Sequence, residues 1–103
     1  MPQTNVGLQI LPFSKEKDTY ALVDKAIEAI QQSGVRYEVD ALETVMEGEL
    51  DDLLEVVKKT IYATVAAGAD EVAAEVKIHF RPQGTSIEEK VGKYRKIEND
   101  QTK

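Results

Sequence analysis

Twice along this chain a run of helical periodicity stops at a glycine and gives way to strict alternation. Val23, Ala26, Ile27 and Ile30 recur at helical spacing up to Gly34, after which Val35, Tyr37 and Val39 alternate with Arg36, Glu38 and Asp40. Leu50, Leu53, Leu54, Val57, Ile61 and Val65 form a longer stripe up to Gly68. Val72, Ala74, Val76, Ile78 and Phe80 then alternate with Ala73, Glu75, Lys77, His79 and Arg81 until Pro82 and Gly84. Two helices that each lead straight into a strand, within 103 residues, leave few topologies open.

The remaining segments narrow the choice to one. Val6, Leu8 and Ile10 alternate with Gly7, Gln9 and Leu11, which predicts a first strand ended by Pro12. Asp18 or Thr19 offers the N-cap of the first helix, and Gly34 its C′ residue. A turn near Ala41 to Glu43 reverses the chain into a third strand, Thr44 to Glu47. Glu49, Asp51 and Asp52 lie where the macrodipole of the second helix favours acids. Ser86-Ile87-Glu88-Glu89 has capping-box spacing and opens a tail helix over about 86–98, with Ile87, Val91 and Tyr94 on one face, before the chain fades out. The expected fold is α+β and ferredoxin-like: a βαββαβ order, a four-stranded antiparallel sheet with both helices on one face, and a short C-terminal helix. Strands two and four are its edges. The whole chain, 1–103, reads as a single domain with its core over about 5–82.

Composition closes off several functions. With 13 basic and 19 acidic residues the net charge is −6, so no basic surface is available to release counterions from a nucleic acid. No cysteine is present, which excludes disulfides, thiolate zinc sites, iron–sulfur clusters and a cysteine nucleophile. Apolar runs are too short to cross a bilayer, and Met1-Pro2-Gln3-Thr4-Asn5 lacks the basic and apolar regions of a signal peptide; the expected compartment is the cytoplasm, with no membrane partner. His79 is the only histidine, and Glu47-Gly48-Glu49 with Asp51 and Asp52 reads as a helix start and not as a calcium loop, so no metal and no cofactor is expected. Ser14, Ser33 and Ser86 each have a turn or cap explanation, no phosphate-loop glycine pattern exists, and nothing advocates catalysis. Two functions this fold commonly hosts also fail. Pro12-Phe13-Ser14-Lys15-Glu16-Lys17 lacks the arginine of an acylphosphatase-like loop, and strands one and three carry no aromatics for stacking RNA bases.

What remains is the sheet face opposite the helices. With Val6, Leu8, Ile10, Tyr37, Val39, Val72, Val76 and Ile78 facing the helices, the other face carries Gln9, Leu11, Glu38, Asp40, Glu75, Lys77 and His79, with Thr44 and Met46 joining whichever face the hairpin register selects. Carboxylates mixed with Leu11 and Ala73 fit a surface covered by a ligand or a second subunit; a solvated face is the competing reading.

Several segments together resemble the small thiamine-binding protein family: Val6-Gly7-Leu8-Gln9-Ile10-Leu11-Pro12, Ser33-Gly34-Val35-Arg36-Tyr37-Glu38-Val39, Glu43-Thr44-Val45-Met46-Glu47-Gly48-Glu49, Ala67-Gly68-Ala69, Val76-Lys77-Ile78 and Ser86 to Tyr94. The resemblance covers almost the whole chain and implies a stand-alone ferredoxin-like domain that binds thiamine or its hydroxymethylpyrimidine precursor without catalysis, usually as a homotetramer with pockets near subunit contacts; the expected assembly of this chain is a homo-oligomer, dimer or tetramer. Where many members read Pro-Met-Gly, this chain reads Ala41-Leu42-Glu43. Thiamine presents a cationic thiazolium and an aminopyrimidine that needs donors and acceptors. The candidate ligand-binding residues are therefore Gln9 for its amide, Thr44 for its hydroxyl, Glu38 and Glu47 for their carboxylates, Tyr37 (or Phe13) for stacking, and Lys77. Each has a structural alternative: Tyr37 in the core, Thr44 serving the hairpin, Glu47 serving a helix N-terminus, Lys77 paired with Glu38. The alternative function is a structural or regulatory oligomeric module with no small ligand.

Overall fold

β1 (Thr4–Phe13) is the strand on which the domain is assembled. It pairs antiparallel with β3 (Thr44–Gly48) on one side and β4 (Glu71–His79) on the other, and β2 (Arg36–Val39) adds outside β3. The strand order is β2-β3-β1-β4, so β2 and β4 are the edges of a four-stranded antiparallel sheet. α1 (Thr19–Gln32) and α2 (Leu50–Ala66) cross the sheet between strands, and α3 (Ile87–Gln101) follows β4. The architecture is the expected ferredoxin-like one. It is a computed structural model that describes residues 3–101, with side chains described for 3–94.

Local chemistry fixes the element ends. Asp18 is the α1 N-cap, its carboxylate accepting from the Ala21 N–H at 3.2 Å. Gly34 (φ 83°) and Gly68 (φ 124°) adopt the left-handed backbone expected just past a helix end. Ser14 holds the loop before α1 by accepting from the N–H groups of Glu16 and Lys17.

Between the sheet and the two helices lie Val6, Leu8, Ile30, Met46, Leu53, Val56 and Val57, with Ile10, Val35, Tyr37, Ile61 and Ala74 packed around them. Each fully buried side chain of this size contributes about 1.5–3 kcal/mol relative to exposure.

Three sequence expectations need correction, and the face of Thr44 and Met46, left open to the hairpin register by the sequence, is decided. Pro12 does not end the first strand, which runs on to Phe13. The last β1–β3 pair is Leu8 with Thr44, so beyond it β1 has β4 alone as neighbour and a residue without an N–H is tolerated. Thr44 and Met46 do not join the open face. A four-residue turn, closed by the Asp40 N–H donating to Glu43 O at 2.9 Å, sets Val39 opposite Thr44; opposite residues share a face, and both Thr44 and Met46 are buried toward the helices. The apolar stripe of α2 is rotated from the one expected, because Thr60 and Thr64 are fully buried while Leu54 and Val65 are exposed. Both threonine hydroxyls donate to the carbonyl four residues back, at 2.7 and 2.8 Å, and so enter the core with no unmet polar group. Finally, the tail expected to fade from residue 98 stays helical to Gln101; Thr102 and Lys103, like Met1 and Pro2, lie outside the described residues.

Candidate functional site

The open face of the sheet is roofed at one end by α3, and the fastening starts from Glu47. Its Oε1 accepts the N–H of Ile87, the first residue of α3, at 2.6 Å, while Oε2 pairs with Arg36 at 3.4 Å. A carboxylate at a helix N-terminus meets both an unpaired donor and the positive end of the dipole. Ser86 caps the helix by accepting from the Glu89 N–H at 3.0 Å, and Arg81 Nη2 contacts both Glu89 oxygens at 3.0 and 3.2 Å. Thr85 N–H donates to Gln3 O, and Ile87 is buried. Lys90, one turn into α3, donates to Asn5 Oδ1 at 2.7 Å, and Asn5 Nδ2 reaches Glu47 Oε1 at 3.5 Å. Partial burial lowers the Lys90 pKa from its ordinary value; attraction from Glu89 and Glu47 opposes the shift and Arg81 adds to it.

Beneath this roof lies a cavity of about 710 Å³, within the range of small-molecule sites. Its polar lining is Asn5, Glu38, Asp40, Glu43, Lys77, His79 and Lys90; its apolar lining is Val45, Ile87, Val91 and Tyr94. Gly7 makes the floor. A Cβ there would overlap Glu43 Oε1 and come within 3.0 Å of its Cδ, so the Glu43 carboxylate lies directly over the bare backbone and crosses it to reach Lys77 Nζ at 3.1 Å. The three carboxylates of Glu38, Asp40 and Glu43 outnumber the two ammonium groups of Lys77 and Lys90, so these side chains leave the lining net negative. Such a site offers carboxylate acceptors to a cation or an exocyclic amine, an amide beside them, and an aromatic and aliphatic wall for a flat ring. Among the described residues no group of three His, Cys, Asp or Glu is placed to hold a metal ion, and no helix is long and apolar enough to cross a membrane.

The six residues singled out from the sequence fall on both sides of the sheet. Glu38 and Lys77 line the open-face cavity. Glu47 adjoins it but is engaged in holding α3. Tyr37 packs against the core cluster on the helix side. Gln9 and Thr44 border a second cavity, of about 750 Å³, between α1 and the free flank of β1, with Tyr20, Val23, Ile27 and Leu42 among its apolar walls. Lys77 pairs with Glu43. The sequence reading missed Asn5, Gly7, Glu43, Lys90 and Tyr94. Asn5 and Gly7 were legible as open-face positions of β1; the others depend on how α3 and the 40–43 turn come back over the sheet.

Comparison with known proteins bears on this geometry. A family profile described as thiamine-binding protein matches residues 6–95. A Clostridium perfringens protein named only as UPF0045 is 48% identical over 95 residues, 92% of this chain and all of the relative. A Bacillus cereus structure described as a domain of unknown function, DUF77, superposes with a TM-score of 0.90 at 56% identity, covering 93% of each chain. A Thermotoga maritima structure, provisionally assigned to thiamine biosynthesis or salvage, superposes with a TM-score of 0.84 at 31% identity over 91% of this chain and 100% of its own.

Proposed function

Because the chain belongs to the thiamine-binding protein family, we propose that it binds thiamine or hydroxymethylpyrimidine, without catalysing a reaction, in the cavity between the open sheet face and α3. The observation that carries this reading is the pairing of an acidic lining with an apolar wall on opposite sides of one cavity. A thiazolium cation finds compensation among Glu38, Asp40 and Glu43, the aminopyrimidine finds the Asn5 amide and a carboxylate acceptor, and a ring lies against Tyr94 and Val91. The provisional role of the Thermotoga maritima neighbour in thiamine biosynthesis or salvage supports the same ligand class. The protein then serves vitamin B1 homeostasis or transport support as a cytoplasmic homo-oligomer.

Titration calorimetry with thiamine and hydroxymethylpyrimidine tests the proposal. The expected result is a saturable heat for at least one of them, weakened by Glu43→Gln and left unchanged by Gln9→Ala and Thr44→Ala, which border the other cavity. Heats no larger than dilution for both ligands would reject it. The second reading, an assembly module without a ligand, is favoured by the exposed apolar residues Val76, Ile78 and Phe80 on and just beyond the edge strand β4; it predicts no heat at all.

A further inference from the structure

The charges that line the open-face cavity are sorted along the strands. The register sets Asn5 between Glu47 and His79 in one cross-strand row, and Gly7 between Val45 and Lys77 in the next. Opposite residues share a face, and rows on one face recur every second residue, about 7 Å apart. From the Gly7 row outward to the hairpin turn, the lining carries Glu38, Asp40 and Glu43 with Lys77. At the Asn5 row, beneath the first turns of α3, it carries Lys90, His79 and the Asn5 amide. One end of the cavity is therefore anionic, and the other presents nitrogen donors.

Lys90 decides what the second end can hold. Its ammonium donates to a neutral acceptor, Asn5 Oδ1, at 2.7 Å, a bond that uses one of three N–H groups. The carboxylates near this end are already answered. Glu47 Oε1 accepts the Ile87 N–H at 2.6 Å and its Oε2 pairs with Arg36 at 3.4 Å, while Glu89 pairs with Arg81 at 3.0 Å. Burial lowers the Lys90 pKa in spite of the attraction from Glu89 and Glu47, so its charge is under-compensated where it stands. A ligand hydroxyl would leave it so. The three acceptor oxygens of a phosphate monoester match the donors present: the Lys90 ammonium, the His79 ring N–H and the Asn5 Nδ2 group. Hydrogen bonds with an ionised partner are roughly twice as strong as neutral ones. The net charge of −6 does little against such an anion, because exposed charges farther away than about 8 Å are largely screened at physiological ionic strength.

We infer that the cavity selects the phosphate monoester of its vitamer over the free alcohol, with the phosphoryl group under α3 against Lys90, His79 and Asn5 and the heteroaromatic cation over Gly7. This deepens the vitamer reading of the same cavity and rests on it. Thiamine carries its hydroxyl at the end of a two-carbon arm on the thiazolium ring, and that arm with the ester oxygen spans one step between rows. The cation then lies beside Glu38 and Glu43, the phosphate lies one row away, and a ring lies against Val91 and Tyr94. Ligand and cavity carry opposite signs in the same order along the strands.

Titration calorimetry at neutral pH with thiamine, thiamine monophosphate and inorganic phosphate tests the selection. The wild type is expected to bind the monophosphate at least about tenfold more tightly than thiamine, equivalent to about 1.4 kcal/mol. Inorganic phosphate, which lacks the ring and the cation, should bind more weakly than the monophosphate. Lys90→Gln should abolish the preference for the ester, and His79→Gln should reduce it. Glu43→Gln, at the other end, should weaken both vitamers by a similar factor and keep the preference. The preference is a ratio within each variant, so a general loosening of α3, which weakens both vitamers, does not imitate its loss. If circular dichroism shows Lys90→Gln unfolded, His79→Gln carries the test, and an undiminished preference there would overturn the inference. It is also overturned if thiamine binds as tightly as its monophosphate, if the preference survives in folded Lys90→Gln, or if inorganic phosphate binds as tightly as the ester; thiamine heats in any of these cases leave the vitamer reading standing. Heats no larger than dilution for both vitamers reject that reading and the inference with it.

Discussion

Gly7→Ala separates the chemistry of the cavity from the stability of the fold. Gly7 is not among the glycines with positive φ, so alanine adopts its backbone without strain. The added Cβ meets the Glu43 carboxylate, which is the end of a flexible side chain and moves aside. Moving it breaks the 3.1 Å contact with Lys77, a pair whose lysine is 79% exposed; exposed pairs contribute about 0.2–1 kcal/mol. Alanine in place of glycine restricts the unfolded chain and returns about 0.4–1 kcal/mol. The two effects nearly cancel, so stability stays within about 1 kcal/mol of wild type and Tm within about 4–8 °C. Ligand affinity does not have that compensation, because a methyl occupies the cavity floor and a carboxylate is displaced from it. The expected loss is at least about tenfold in Kd, equivalent to about 1.4 kcal/mol. Thermal melts and titration calorimetry on the same preparations read both quantities. In a Glu43→Ala background the same substitution should cost much less affinity, since its target is gone. Unchanged thiamine affinity in Gly7→Ala, with Tm inside the stated range, would refute the placement of the ligand over Gly7.

Three other outcomes follow from the packing and the electrostatics. Glu47→Ala removes the charged acceptor of the Ile87 N–H and should cost about 1–3 kcal/mol in urea titrations, with faster proteolysis between Pro82 and Ser86, whereas Glu47→Gln keeps an acceptor and most of the stability. Leu53→Ala, at a fully buried core position, should cost about 2–5 kcal/mol, while Thr60→Val should stay within about 1 kcal/mol because the hydroxyl it removes only back-bonds its own helix. The Lys90 pKa is lowered by burial, so below the folded-state value the ammonium carries a penalty in the native protein, and between that value and 10.5 the unfolded chain binds more protons and stability from this group rises with pH. Lys90→Met should lack that rise when the two proteins are compared by denaturation at alkaline pH up to 10.5, and parallel curves would contradict the assignment.

The fold was legible because its signals are local and repeated. Helix stripes ended by Gly34 and Gly68, followed by alternation, specify the order of elements without knowledge of their packing. The errors arose where a tertiary circumstance overrode a local rule. Pro12 breaks a strand with neighbours on both sides, but β1 has lost one neighbour by then. Thr60 and Thr64 read as polar, yet an intrahelical hydrogen bond lets them take core positions that a count of apolar residues assigns elsewhere. The site was less legible than the fold. Glu38 and Lys77 follow from strand alternation, but a shift of one residue in hairpin register moves Thr44 from one face to the other. The contributions of Asn5, Lys90 and Tyr94 depend on α3 folding back over the sheet, and the bonds that hold it there span 40 residues between Glu47 and Ile87 and 85 between Asn5 and Lys90. No local pattern encodes a contact of that separation.

The central claim is that a thiamine-type vitamer occupies the space between the open sheet face and α3. Amide chemical-shift mapping during a thiamine titration tests it most directly, since it reports binding and location together. The account predicts shifts concentrated at Asn5, Gly7, Lys77, Ile87 and Val91, with Val23, Ile27 and Leu42 beside the other cavity unmoved. Shifts confined to that second group, or a spectrum unchanged at saturating thiamine and hydroxymethylpyrimidine, would contradict it.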